Sequence, residues 1–182
     1  GPTDIAWAPD GSFVVADTNN HRIRRVSASG EVTTIAGDGT PDPMLDGPAA
    51  SARFKSPYGV AVGPDGTIYV ADLGHHCIRR ISAKGVVTTM AGAANVSGNA
   101  DGPAGVARFY SPYRVAVDAA GQVYVADTGN HRIRKVSPAG VTSTIAGTSA
   151  GYKDGVASEA QFNSPIGIAL DPAGNLYVAD QG

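Results

Sequence analysis

The stretch SPYGVAVGPDGTIYVADLGHHCIRRISAKGVVTTMAG, Ser56 to Gly92, returns as SPYRVAVDAAGQVYVADTGNHRIRKVSPAGVTSTIAG, Ser111 to Gly147, after a shift of 55 residues. Outward from this pair, the aspartate that closes each Val-Ala-Asp triplet falls at Asp17, Asp72, Asp127 and Asp180, in steps of 55, 55 and 53. His21, His76 and His131 keep the same step, and so do Gly37, Gly92 and Gly147. A fixed period of this length marks units that bury their apolar faces on one another.

Each unit holds four short runs of β-branched and aliphatic residues separated by turn residues. In the second unit they are Gly59 to Val62, Thr67 to Ala71, Cys77 to Ser82 and Val86 to Ala91. Pro64-Asp65-Gly66 and Ala83-Lys84-Gly85 separate them as tight hairpin turns. The first two runs are apolar on both faces and so require cover on both sides, whereas the outer two are more polar. The expected fold is all-β: a β-propeller of four-stranded antiparallel blades, in which small residues at the inner runs (Gly59, Ala61, Ala116, Gly167, Ala169) let strands crowd around an axis. The expected organisation is one propeller segment over 1–182. Blade 1 covers about 1–37, blade 2 about 54–92, blade 3 about 109–147, and a partial blade 4 about 162–182. Three and a half blades leave apolar faces open, which reads either as a segment of a larger ring or as a chain that completes its ring with a second copy.

Composition narrows the function. Gly and Pro number 24 and 12 of 182 residues while 42% of the chain is hydrophobic, the profile of a folded chain rich in turns. Fourteen Asp against two Glu argue against long helices. A net charge of −2 supplies no global basic field, so nucleic acid is not an expected partner. No apolar run reaches membrane-spanning length. The single cysteine, Cys77, cannot form an internal disulfide. Low Lys with abundant Ser, Thr, Gly and Asp leans toward an extracellular or cell-surface bacterial protein.

The strings FKSPYGVAVGPDGTIYVADLGHHCIRRIS, FYSPYRVAVDAAGQVYVADTGNHRIRKVS and FNSPIGIALDPAGNLYVAD resemble NHL repeats, with Asn20-His21 and Asn130-His131 matching the Asn-His of the signature. The resemblance covers nearly the whole chain and implies a propeller, most often six-bladed in that family. The long form of the repeat resembles the arrays of bacterial secreted or multidomain proteins. It leaves activity open, because such propellers serve as enzyme bodies, RNA-binding modules and protein-interaction modules.

Residues present in every blade are expected to serve the scaffold, and a ligand site on a ring must use positions where blades differ. Asp17, Asp72, Asp127 and Asp180 are therefore expected to cap turns or pair with arginine. The third-run arginines (22–25, 78–80, 132–135) are expected to form ion pairs, and His21, His76 and His131 to hydrogen-bond across their turns. The Asp-Gly pairs at 46–47, 101–102 and 154–155 read as turn chemistry. Where the second and fourth units have Gly59 and Gly167, the first has Asp4 and the third Arg114. These two charges, with Tyr58 and Tyr113 beside them, are expected at the mouth of the channel, able to orient a polar ligand. His75, in the His75-His76-Cys77 departure from Asn-His-Arg, is the remaining candidate ligand-binding residue. Trp7 is expected in the core between blades.

No catalytic residue, metal ligand or cofactor is assigned, since no GxSxG, HExxH or P-loop occurs. The expected function is non-enzymatic: a binding or scaffold module that engages a protein, peptide or glycan through the face carrying the long inter-blade loops, with self-association through open edges. The alternatives are part of a lyase-like or lactonase-like propeller enzyme, and a purely structural repeat of a large secreted protein.

Overall fold

The computed structural model describes residues 1–182 and contains strands and three single-turn 3-10 helices. The first sheet runs β1 (Asp4–Trp7), β2 (Phe13–Asp17), β3 (Arg22–Val26), β4 (Val32–Ala36) in order. The second is built on β6 (Pro57–Val62), β7 (Ile68–Asp72), β8 (Cys77–Ile81) and β9 (Val86–Gly92), with a fifth short strand, β5 (Gly47–Pro48), on its outer edge. The third runs β10 (Pro112–Val117), β11 (Val123–Asp127), β12 (Arg132–Val136), β13 (Thr142–Ala146), and β14 (Pro165–Leu170) with β15 (Leu176–Asp180) begin a fourth. All pairings within these sheets are antiparallel.

The sheets stack face to face, with the first strands β1, β6, β10 and β14 adjacent along the inner side. One core lies between the first two sheets around Val14, Ile23, Phe54, Val60, Val70 and Ile81. A second lies between the second and third around Ile78, Met90, Phe109, Val115, Val125 and Val136. Strand β7 is buried along its whole length because it is covered from both sides, as its two-sided apolar sequence requires. This is the arrangement of propeller blades, and the array is open at both ends. Trp7 departs from its expected place in the core. It lies 63% exposed, edge-on to Phe13, because no sheet packs on that face of β1.

The connections between sheets, residues 38–53 and 93–108, are straps rather than free loops. Each crosses the outer edge of the next sheet before turning inward at Phe54 or Phe109, both fully buried. Three 3-10 turns (Thr18–Asn20, Leu73–His75, Thr128–Asn130) join the second and third strands on the same face. Each ends in a histidine with left-handed backbone, φ 55 to 57°. The expectation that these histidines bond across their own turns needs correcting. The ring Nδ1 of His21, His76 and His131 instead accepts from the backbone N–H of Ser56, Ser111 and Ser164, at 3.1, 3.2 and 3.0 Å, because the left-handed turn carries the ring to the entry of the next sheet.

Candidate functional site

At the inner ends of β6, β10 and β14 the register with the following strand shifts by one residue, leaving Tyr58, Tyr113 and Ile166 as bulge positions. Bulges re-aim side chains and are frequent beside binding sites. Here they bring Tyr58 and Tyr113 together. Their ring centroids lie 3.9 Å apart at 40°, and the Tyr113 hydroxyl donates to that of Tyr58 at 2.5 Å. Desolvation and the Tyr58 hydroxyl push the Tyr113 phenol up to about 12.

One residue further along, Asp4 of the first sheet and Arg114 of the third form an ion pair across the second. Gly59 allows the crossing, for a Cβ there would lie 2.6 Å from the Tyr113 carbonyl oxygen and 2.7 Å from the Arg114 Cα. Asp4 also accepts from the Val60 N–H at 2.8 Å, and Arg114 donates to the Thr3 carbonyl at 2.7 Å. The Thr3 hydroxyl donates to the Tyr58 carbonyl at 2.8 Å, tying the tyrosine pair to the charged pair. Four of the five candidates, Asp4, Tyr58, Tyr113 and Arg114, thus form one cluster with an ion pair and a stacked aromatic pair. Arg114 keeps 32% of its side-chain surface exposed and Asp4 9%, so the guanidinium is the accessible half.

His75 lies elsewhere. It is fully buried in the 3-10 turn of the second sheet, with Nδ1 2.9 Å from Asp72 and Nε2 3.4 Å from Asp42. In the other sheets Asn20 and Asn130 hold the equivalent aspartates, Asp17 and Asp127, at 3.0 and 2.8 Å. His75 makes the same link with a larger side chain. Its neighbour Cys77 is buried against Met44, and burial pushes its thiol well above the ordinary range. No group of three or more His, Cys, Asp or Glu is placed to hold a metal ion.

The third-strand arginines form clamps that the sequence showed only in part. Arg79 is fully buried and makes five hydrogen bonds. They run to Asp72, twice to Asp46, and to the carbonyls of Leu45 and Arg53, at 2.6 to 3.1 Å. Arg134 repeats them with Asp127, Asp101, Ala100 and Arg108. Phe54 and Phe109 lie under the guanidinium carbons at 4.9 and 5.1 Å. The pairing with the Val-Ala-Asp aspartate was expected. The second carboxylate, from the Asp-Gly of the strap, was missed, although Asp46 to Arg79 and Asp101 to Arg134 share one spacing. The clefts between sheets open on the opposite, tight-turn face. The cleft of ≈ 510 Å³ between the second and third sheets is lined by turn residues such as Pro64, Asp65 and Gly121 with Tyr69 and Arg80, and none of the candidates reaches it.

Against known proteins, the NHL repeat family matches residues 1–26, 54–81 and 109–136. Protein SUPPRESSOR OF QUENCHING 1, chloroplastic, of Arabidopsis thaliana is 31% identical over 98% of this chain, which spans 18% of that protein. An auxiliary nutrient binding protein from Bacteroides ovatus superposes over 99% of this chain and 46% of its own, with TM-score 0.78 and 23% identity. Virginiamycin B lyase from Staphylococcus aureus does so over 98% and 48%, with TM-score 0.64 and 18% identity. The chain therefore spans about half the length of these solved propellers and a smaller part of the plant protein.

Proposed function

Since the chain belongs to the NHL-repeat β-propellers, we propose that it is a non-enzymatic binding module that takes a protein, peptide or glycan partner at the mouth formed by Asp4, Tyr58, Tyr113 and Arg114. The observation that carries this reading is the convergence, at one inner end, of the positions where the repeats differ. A guanidinium about one-third exposed beside stacked phenol rings offers directional hydrogen bonds next to an aromatic face, the mixture that orients polar ligands. The likeness in fold to a nutrient binding protein supports it. The lyase reading draws on fold likeness alone. It would need free acid, base or metal-ligating groups at the inner strand ends, and Asp4 is engaged by Arg114 and the Val60 N–H.

The test is a glycan and peptide array probed with the chain, followed by titration of a retained ligand. Arg114→Gln is expected to weaken binding about tenfold or more, as loss of a hydrogen bond to a charged group does, while the chain stays folded. An array with no retained ligand, or equal affinity in the variant, would overturn the reading. Stoichiometric metal co-purifying with the chain would revive the enzyme alternative.

A further inference from the structure

Tyr58 and Tyr113 lie 55 residues apart in the chain and in contact in space, on the first strands of the second and third sheets. The bulges in β6 and β10 place both side chains at the inner end. Gly59 lets the two strands approach, and the His76 ring fixes the start of β10 by accepting from the Ser111 N–H. Sheets flank the pair on both sides: the Thr3 hydroxyl of the first donates to the Tyr58 carbonyl, and β14 packs beside β10. Thr3 and Ile166 stand at the equivalent positions of the first and fourth sheets, so the phenol pair occurs once. Among the other tyrosines, Tyr124 and Tyr177 bond to Asp118 and Asp171, and Tyr110 lies against His76.

We propose that Tyr58 and Tyr113 are a site of oxidative modification, at which a one-electron oxidant joins the two rings in an intramolecular dityrosine. Each phenol gives one electron to the oxidant and its hydroxyl proton to water. Two equivalents of oxidant are consumed, of the class of a high-valent haem or a photo-oxidised ruthenium complex. The unpaired electron of each phenoxyl ring is shared between the oxygen and the ortho carbons, and a bond forms between one Cε carbon of each ring. The hydrogens on those two carbons leave as protons, and two protons return to the oxygens, restoring both phenols. The balance is two electrons to the oxidant and two protons to solvent for one carbon–carbon bond.

Coupling needs both rings in contact before either radical is quenched. Centroids 3.9 Å apart and hydroxyls 2.5 Å apart bring the ortho carbons of the two rings within reach of one another. Held in this way, the bond-forming step is effectively unimolecular. The Tyr58 oxygen accepts from the Tyr113 hydroxyl and gives that proton a first acceptor as it departs. Both rings are half-buried, open to electron transfer but shielded from the ring of a second chain. The product staples the second sheet to the third at the inner mouth. The inference rests on the geometry of the pair and holds whichever partner the mouth takes.

The test illuminates the whole chain with a ruthenium polypyridyl complex and persulfate at several protein concentrations, followed by dityrosine fluorescence, intact mass and peptide mapping. The expected product is a monomer lighter by two hydrogens, in a yield independent of protein concentration, with the peptide holding Tyr58 joined to the one holding Tyr113. Its melting temperature is expected to rise, because the link restricts the unfolded chain. Tyr113→Phe and Tyr58→Phe, which keep the rings and remove one phenol, are each expected to lose the linked peptide, while Tyr152→Phe, at a position 85% exposed, keeps it. The peptide map of the parent decides the matter where a variant fails to fold. Linkage found only in dimers, a monomer linked through Tyr110 or Tyr152, or full yield from Tyr113→Phe would overturn the proposal. So would a parent chain oxidised at Trp7 or at scattered tyrosines with this pair unjoined.

Discussion

Two kinds of arginine–aspartate contact can be set side by side, one at the outer side of the second and third sheets and one at the inner side of the array. At the outer side, Arg79 and Arg134 sit fully buried between two aspartates, and the arrangement is the same in successive sheets. At the inner side, Arg114 meets Asp4 once, joins sheets that are not neighbours in the array, and keeps part of its surface in solvent. The first kind uses positions that repeat every 55 residues; the second uses positions where the repeat is broken. Repetition thus separates residues that build the array from residues free to face a ligand.

The largest effect is expected at the clamps. Arg134→Gln leaves Asp127 and Asp101 without their cation, and Asp127 is already pushed up by burial. Removing one partner of a buried pair costs about 3–5 kcal/mol, whereas Arg24→Gln, in the sheet without a strap, is expected to cost about 1 kcal/mol or less. Denaturant unfolding of both variants checks this, and equal losses would remove the distinction between strapped and unstrapped sheets.

A smaller effect is expected at the inner side. Gly59→Ala drives a Cβ into backbone of the next sheet at 2.6 and 2.7 Å, so β10 must shift. Overpacking of this kind costs about 1–3 kcal/mol. Because the shift separates Arg114 from Asp4, ligand affinity at the mouth is expected to fall further than stability does. Parallel melts and titrations compare the two. A variant that binds as the parent does would show that Gly59 serves packing alone.

The smallest effect concerns the bonds between sheets. Desolvation, with the charges of His75 and Lys55, lowers the pKa of His76 below its ordinary value. The folded chain therefore takes up this proton less readily than the unfolded chain. The His76 bond to Ser111 is fully stabilising above about pH 6.5, the unfolded value, and its contribution is lost as the pH falls toward the lowered folded value. Melting temperatures between pH 8 and 5 are expected to decline less steeply in His76→Asn, whose residue type tolerates the left-handed backbone. An unchanged slope would assign the decline to other groups.

Much of the fold was legible because the repeat states it four times. Each strand of the second unit lies where its apolar run and flanking turns place it, apart from one or two residues at the ends. The straps were not legible, since Asp-Gly is ordinary turn chemistry and only the three-dimensional partner reveals its carboxylate as half of a clamp. Among the candidates, Asp4 and Arg114 stood out as breaks in the repeat, and Tyr58 and Tyr113 as the residues beside them that follow Pro57 and Pro112. His75 stood out by the same rule, yet it replaces Asn20 and Asn130 in a structural role. In the structure the bulges at Tyr58 and Tyr113 bring those two side chains together next to the Asp4–Arg114 pair, whereas His75 stays buried in its turn. Trp7 misled for a related reason, because its sheet face has no neighbour to cover it.

On the proposed reading the inner mouth, not the straps or the tight-turn clefts, receives the partner. Backbone amide chemical-shift mapping during titration with an array-selected ligand tests it most directly. Perturbations are expected to concentrate at Asp4 and Ile5, at Tyr58 to Val60, and at Tyr113 to Val115. Perturbations centred on the turns at 63–66 and 118–121, with the mouth unmoved, would contradict it.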